Sequence, residues 1–250
     1  MKFATTAFAL LLWITTGIAT GMAQDNAHDF IAAMAAYKSK DYPTAIAKLE
    51  AIARNGVENG QLYYNLGNAH LKNNDLGQAI LWYERASALL PNDPDLRFNT
   101  DYARSLTRDA SEEETTSLVR IFFFWKYHLG RNTIIALSIA FNGLFWCLAA
   151  AWRLMGRRGL RLAMQIALVP AVVFVLTAAF NYYEATHSTH AIVLPEKISV
   201  RSGLEETSTE LFVLHAGAKV KLVKNLDNHA QIRFSAEKIG WIPRTAIGRI

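Results

Sequence analysis

Residues 60–91 read GQLYYNLGNAHLKNNDLGQAILWYERASALLP. Shifted by 34 residues the chain resembles itself: Asp41, Ala45, Ile46, Leu49 and Glu50 stand where Asp75, Ala79, Ile80, Tyr83 and Glu84 recur. Self-similarity at that period marks an array of helix pairs, each unable to bury its apolar face alone and closed by stacking on the next. Within the quoted stretch the small residues Gly67 and Ala79 permit close helix approach. Tyr63 and Tyr83 fill the space beside them, and Pro91 stops the second helix.

The key positions Tyr63-x2-Leu66-Gly67-x2-His70, Ala79-x3-Tyr83, Ala86 and Pro91 resemble the tetratricopeptide family. The resemblance extends over residues 26–93, and the first copy departs from the pattern at Asp29, Ala32 and Ala36. Residues 94–108 place Asp95, Phe98 and Tyr102 at helical spacing without completing a third copy, which reads as a polar capping helix for a repeat domain over 24–108. The family resemblance implies a concave groove for an extended peptide or partner helix, lined here by Gln61, Tyr64, Asn68 and Lys72 with Phe98 and Tyr102 from the cap. The alternative is that these side chains are merely solvated or packed against the cap. Residues 24–118 carry net charge −5, which favours a basic or apolar partner over an acidic tail.

Outward from the repeats, composition turns apolar, with 52% hydrophobic and 19% charged residues in the whole chain. Lys2 followed by the uncharged run 3–22, ending Gly21-Met-Ala23, reads as a signal peptide over 1–23, with an uncleaved anchor as the alternative. Two further charge-free runs, Asn132–Trp152 and Leu162–Tyr183, have 21 and 22 residues. At about 1.5 Å per residue each reaches the roughly 30 Å of a hydrocarbon core, so both read as transmembrane helices. Pro170 and Asn142 fall inside them without arguing against spanning. The segment 153–161 holds Arg153, Arg157, Arg158 and Arg161 and no acid, which predicts a cytoplasmic loop and puts the flanking domains in the periplasm of a bacterial inner-membrane protein. The span between repeats and membrane, 109–131, divides into a polar linker and an aromatic stretch, Leu118–Leu129, suited to the headgroup region, a longer tilted span being the alternative.

Beyond Glu184 the pattern becomes short strands: 191–194, 198–201, 218–223, 230–234 and 240–242. Val220 and Leu222 alternate with Lys219 and Lys221, and Ile232 and Phe234 with Gln231 and Arg233, as expected of a small sheet with one buried face. Val200-Arg-Ser, Leu214-His-Ala-Gly, Gln231-Ile-Arg and Gly240-Trp-Ile-Pro resemble the bacterial Src-homology-3-like family over nearly all of 190–248, giving a domain at 188–250, and depart where His229-Ala230 stands in place of the usual aromatic. That resemblance implies binding of protein segments or cell-wall peptides, with Trp241 as the contact residue. Trp241 as ordinary core, in a docking or spacer module, is the alternative.

The expected fold class is therefore a multidomain membrane protein: an α-helical tetratricopeptide array, a two-helix transmembrane hairpin and a small all-β Src-homology-3-like barrel. No glycine-rich phosphate loop, metal-ligand helix pair or nucleophile elbow occurs, and the single cysteine, Cys147, lies mid-span. No catalytic residue, metal or cofactor is expected. The pI near 9.3 is no nucleic-acid signature, because the largest positive block, net +6 over 119–187, borders the membrane. In its order of modules the chain resembles the BatE family of bacterial aerotolerance operons. This implies a scaffold working with von Willebrand A-domain membrane proteins and a MoxR-type ATPase in envelope stress, with peptidoglycan sensing through the barrel as the competing reading.

Overall fold

The computed structural model of the chain describes residues 25–109, 124–186, 190–205 and 207–250. The expected signal peptide, linker residues 110–116 and the start of the aromatic approach at 118–123 lie outside the described residues.

Five helices build the repeat region: α1 (25–38), α2 (Tyr42–Arg54), α3 (Gly60–Lys72), α4 (Leu76–Leu89) and α5 (Pro94–Ser105). Short polar side chains start four of them. Asp41 accepts from the Thr44 amide, Asn59 from Gln61 and Leu62, Asp75 from Gln78, and Asp93 from Asp95 and Leu96. The turn inside each repeat is the same device used twice: Lys40 (φ 64°) and Asn74 (φ 62°) adopt the left-handed conformation immediately before the capping aspartates Asp41 and Asp75. Ala33, Leu49, Ile52, Leu62 and Leu66 form one buried cluster, and Ala79, Ile80, Leu81, Tyr83, Ala86, Leu96 and Ala103 another. Tyr83 is fully buried, its ring lying where a methyl group on Gly67 would collide with it. Tyr63 leans on Trp82 at 5.2 Å instead.

A short helix, α6 (Phe124–His128), leads to two long ones, α7 (Arg131–Met155) and α8 (Arg158–Thr186). Both are long and apolar enough to cross a membrane. They contain the charge-free runs 132–152 and 162–183 and extend beyond them, so the basic residues 153–161 are mostly helix ends. The turn itself is Gly156-Arg157, with Gly156 left-handed at φ 65°. Phe141 stacks on Phe174 at 5.5 Å along the seam, where Ala167 and Ala171 are buried. Trp125 of α6 donates to the Thr177 hydroxyl (3.3 Å), and Lys126 lies 4.5 Å from the Phe180 ring centre.

The C-terminal region is an all-antiparallel seven-stranded sheet: β1 (His190–Val193), β2 (Lys197–Arg201), β3 (Glu210–His215), β4 (Lys219–Asn225), β5 (His229–Arg233), β6 (Ile239–Pro243) and β7 (Ile247–Arg249). Spatial order is β3-β2-β6-β5-β4-β1-β7. Its core unites Val193, Val200, Leu214, Val220, Ile232 and Ile242. Five strands fall on the segments read as strands from the sequence, while β3 and β7 were not among them.

The sheet packs directly on the repeats. Strand β1 is buried on both faces: Ala191 and Val193 face the sheet core, whereas Ile192 belongs to the cluster around α4, with Leu194 and Ile250 beside it. Three glycines permit the approach. A side chain at Gly77 would meet the Leu194 backbone, one at Gly217 would meet Ile80 and Thr107, and one at Gly248 would meet Leu81. Polar contacts frame the seam. Arg85 donates twice to the Arg249 carbonyl (3.1 and 2.7 Å), Lys219 lies 3.6 Å from Glu84, and both the amide and ring Nδ1 of His215 reach Asp109 (2.6 and 3.2 Å). At the far end of α4, Gly130 abuts the Leu89 carbonyl and Pro91, and Arg131 pairs with Glu58. Helix α4 is thus the element that repeats, hairpin and sheet share.

Candidate partner-binding groove

The sheet packs on the α4 side of the repeats, and α3 and α5 form a surface beside it. At its centre Tyr64 and Asn68, one helical turn apart on α3, meet Asn99 of α5. The Asn99 amide nitrogen donates to the Tyr64 hydroxyl and to the Asn68 carbonyl oxygen, both at 2.9 Å. From beneath, the Tyr83 hydroxyl donates to the same Asn68 oxygen at 2.7 Å. Burial, reinforced by Tyr64 and Tyr37, raises the Tyr83 pKa well above the usual tyrosine value, so its hydroxyl remains a donor at neutral pH. Tyr37 of α1 is shifted the same way, by burial first and then by Tyr42 and Tyr64.

Around this network the six expected groove residues divide. Tyr64 and Asn68 are half-buried and tied to α5. Gln61 is exposed and donates weakly to Asp93 at 3.4 Å, and Lys72 is exposed. Phe98 and Tyr102, on successive turns of α5, are 72% and 53% exposed, and Leu106 just beyond continues the apolar stripe at 48%. A cap that ends an array normally turns a polar face outward, so this stripe is surface with apolar capacity to spare. Sequence reasoning missed Asn99 and the Tyr83 hydroxyl. Asn99 stands 34 residues after Asn65, which is no groove residue, so the repeat period gave no signal for it.

Trp241 lies on the outer face of the sheet, half-buried, while its neighbours Gly240 and Ile242 point inward and are buried. Register places Arg201 on one side of it and Gln231 on the other, with Lys224 next in the same row. It is an accessible aromatic flanked by polar and cationic groups.

A cleft of about 910 Å³ opens where the three regions meet, bordered by Arg54, Trp82, Lys126, Arg131, Asn181 and Lys219. Its charges are compensated internally: Arg54 pairs with Glu50 (3.2 Å), Arg131 with Glu58, and the Arg85 guanidinium sits 4.7 Å from the Trp82 ring centre. His70, in the position where the repeat pattern has an aromatic, is only 4% exposed and lies 3.3 Å from Asp75 and 3.7 Å from Glu50. Among the described residues no group of three histidine, cysteine, aspartate or glutamate side chains is placed to hold a metal ion.

Comparison with known protein families matches residues 32–94 to the tetratricopeptide repeat, about a quarter of the chain. The repeats are therefore of a kind that acts in protein–protein interaction. Comparison with curated proteins gives no match.

Proposed function

We propose that the chain is a non-catalytic scaffold of the bacterial inner membrane, held by the α7–α8 hairpin, that presents its tetratricopeptide groove and C-terminal sheet to protein partners in the periplasm. The observation that carries this reading is the exposed Phe98–Tyr102–Leu106 stripe beside the Tyr64–Asn68–Asn99 network, fixed in place by an α4 that sheet and hairpin grip from the other side. Rigid presentation lowers the ordering cost of binding, which is what a scaffold needs. The basic residues 153–161 support a cytoplasmic position for the hairpin turn. The order of modules supports a BatE-type role in aerotolerance or envelope stress, with von Willebrand A-domain membrane proteins and a MoxR-type ATPase system as partners, and a Src-homology-3-like identity for the sheet.

The test is co-purification of the tagged full chain from membranes, comparing wild type with Phe98→Ala/Tyr102→Ala. A partner recovered with wild type and lost from the double variant is the expected result. Equal recovery overturns the groove as the binding surface, and hydrolytic activity of the purified chain overturns the non-catalytic reading.

A second reading rests on Trp241. Its open position between Arg201 and Gln231, in a region of net charge +3, suits a sheet that grips anionic peptidoglycan while the repeats recruit something else. Removing the sheet is a poor test, because it would bare Ile80 and Leu81 on α4. Trp241→Ala leaves that seam alone. Sedimentation with purified sacculi that is present in wild type and lost in this variant would favour the wall reading, and absence of sedimentation by the intact protein would sink it.

A further inference from the structure

Asn142 is the middle residue of the charge-free run 132–152, ten residues from either end and so roughly 15 Å from each. Its side chain is too short to reach a bilayer surface from there. Among the described residues it has no hydrogen-bond partner, and neither does Ser138 one turn away, although both are only half-buried. The contrast with Thr177 is direct, for that hydroxyl donates to the Val173 carbonyl and accepts from Trp125. The hairpin seam runs through Phe141 and Phe174, leaving Asn142 on its flank. On the same face stand Ile135, Ile139 and Trp146, exposed at 44%, 69% and 64%.

An unpaired carboxamide at the bilayer centre is costly, and the hydrocarbon offers it nothing. We infer that this face of α7 is a homodimer interface in which Asn142 of one copy hydrogen-bonds Asn142 of a second. The inference rests on the spanning reading of the hairpin. Copies inserted by the same route share one topology, so a two-fold axis along the membrane normal necessarily brings the same residue to the same depth in both. A carboxamide is both donor and acceptor, which makes this meeting self-complementary. Ile135, Ser138 and Asn142 are spaced by three and four residues, the spacing of a left-handed helix pair, where one buried asparagine sets register.

The experiment uses the full chain carrying Cys147→Ser and Lys224→Cys, labelled at the new cysteine and reconstituted in phosphatidylethanolamine–phosphatidylglycerol liposomes, with energy transfer followed against protein-to-lipid ratio. Expected is a saturable dimer whose dissociation constant rises about 3- to 30-fold with Asn142→Leu and is largely restored with Asn142→Gln. Oxidative cross-linking through Ser138→Cys, but not through Leu144→Cys on the other side of the helix, is the matching geometric result. A chain that stays monomeric at every ratio, or a dimer indifferent to Asn142→Leu, overturns the proposal. Extraction of the chain from membranes by alkaline carbonate would instead strike the spanning reading itself, so the two failures are distinguishable.

Discussion

Gly67 and Tyr83 close the second repeat by shape alone: a ring fills the place that any side chain on residue 67 would need. Gly67→Ala therefore overpacks a tightly filled core, and a loss of about 1–3 kcal/mol in unfolding free energy is expected by denaturant titration of the full chain. The Tyr83 hydroxyl adds a pH dependence whose sign is determined by its raised pKa. Above the ordinary tyrosine value near 10 the unfolded chain loses this proton while the folded chain keeps it. Stability is then full below that pH and falls as pH rises, by up to about 1.4 kcal/mol per pH unit from this group. Tyr83→Phe should flatten the alkaline limb of a melting-temperature profile between about pH 9.5 and 11.5 while weakening the fold modestly at neutral pH through the lost bond to Asn68. An unchanged alkaline limb would show that other groups govern it.

At the scale of elements, β1 carries the largest consequence, because its four residues serve two cores. Ile192→Ala removes a fully buried side chain from the α4 side of the seam and should cost about 2–5 kcal/mol. Since Val193 and Ala191 still hold β1 in the sheet, the loss should appear as separation of the repeat and sheet transitions in calorimetry rather than as unfolding of the sheet. A single transition shifted as a whole would argue against that. The same strand explains what was and was not legible beforehand. Period-two alternation revealed β4 and β5, whose outer faces meet water, and the 34-residue period revealed the helix pairs. The run Ala191–Leu194 read as a strand of a sheet with one buried face, and nothing in it said that a second face would meet α4. Strand β3 was hidden because Leu211-Phe-Val-Leu214 does not alternate, and β7 because Ile-Gly-Arg is too short to show a period. Among the groove residues, spacing on one helix was enough to bring out Tyr64 and Asn68. Asn99 closes their network across 31 and 35 residues of chain, a relation that lies in packing and not in local pattern.

For the molecule as a whole, the contact between α4 and β1 constrains everything between them. Residues 25–109 and 190–250 touch through Ile192, Leu81 and the Gly248 approach, so they must share a compartment. If the intervening chain enters a membrane it must cross an even number of times, which two helices of 25 and 29 residues satisfy and one would not. The same contact implies that neither region is a free module. Cut away from the sheet, the repeat region bares Ile80, Leu81 and the Gly77 surface; cut away from the repeats, the sheet bares Ile192, Leu194 and Ile250. Fragments 24–109 and 188–250, expressed separately, should each be prone to aggregate, and together they should form a soluble one-to-one complex whose melting temperature exceeds that of either alone. Arg85→Ala in the repeat fragment should weaken the complex, because it removes both hydrogen bonds to the Arg249 carbonyl at the rim of the seam. Size-exclusion chromatography with light scattering, with and without this substitution, measures the outcome. Two fragments that remain monomeric and indifferent to each other would mean that the seam does not hold without the hairpin, and the hairpin would then be the true organiser of the molecule.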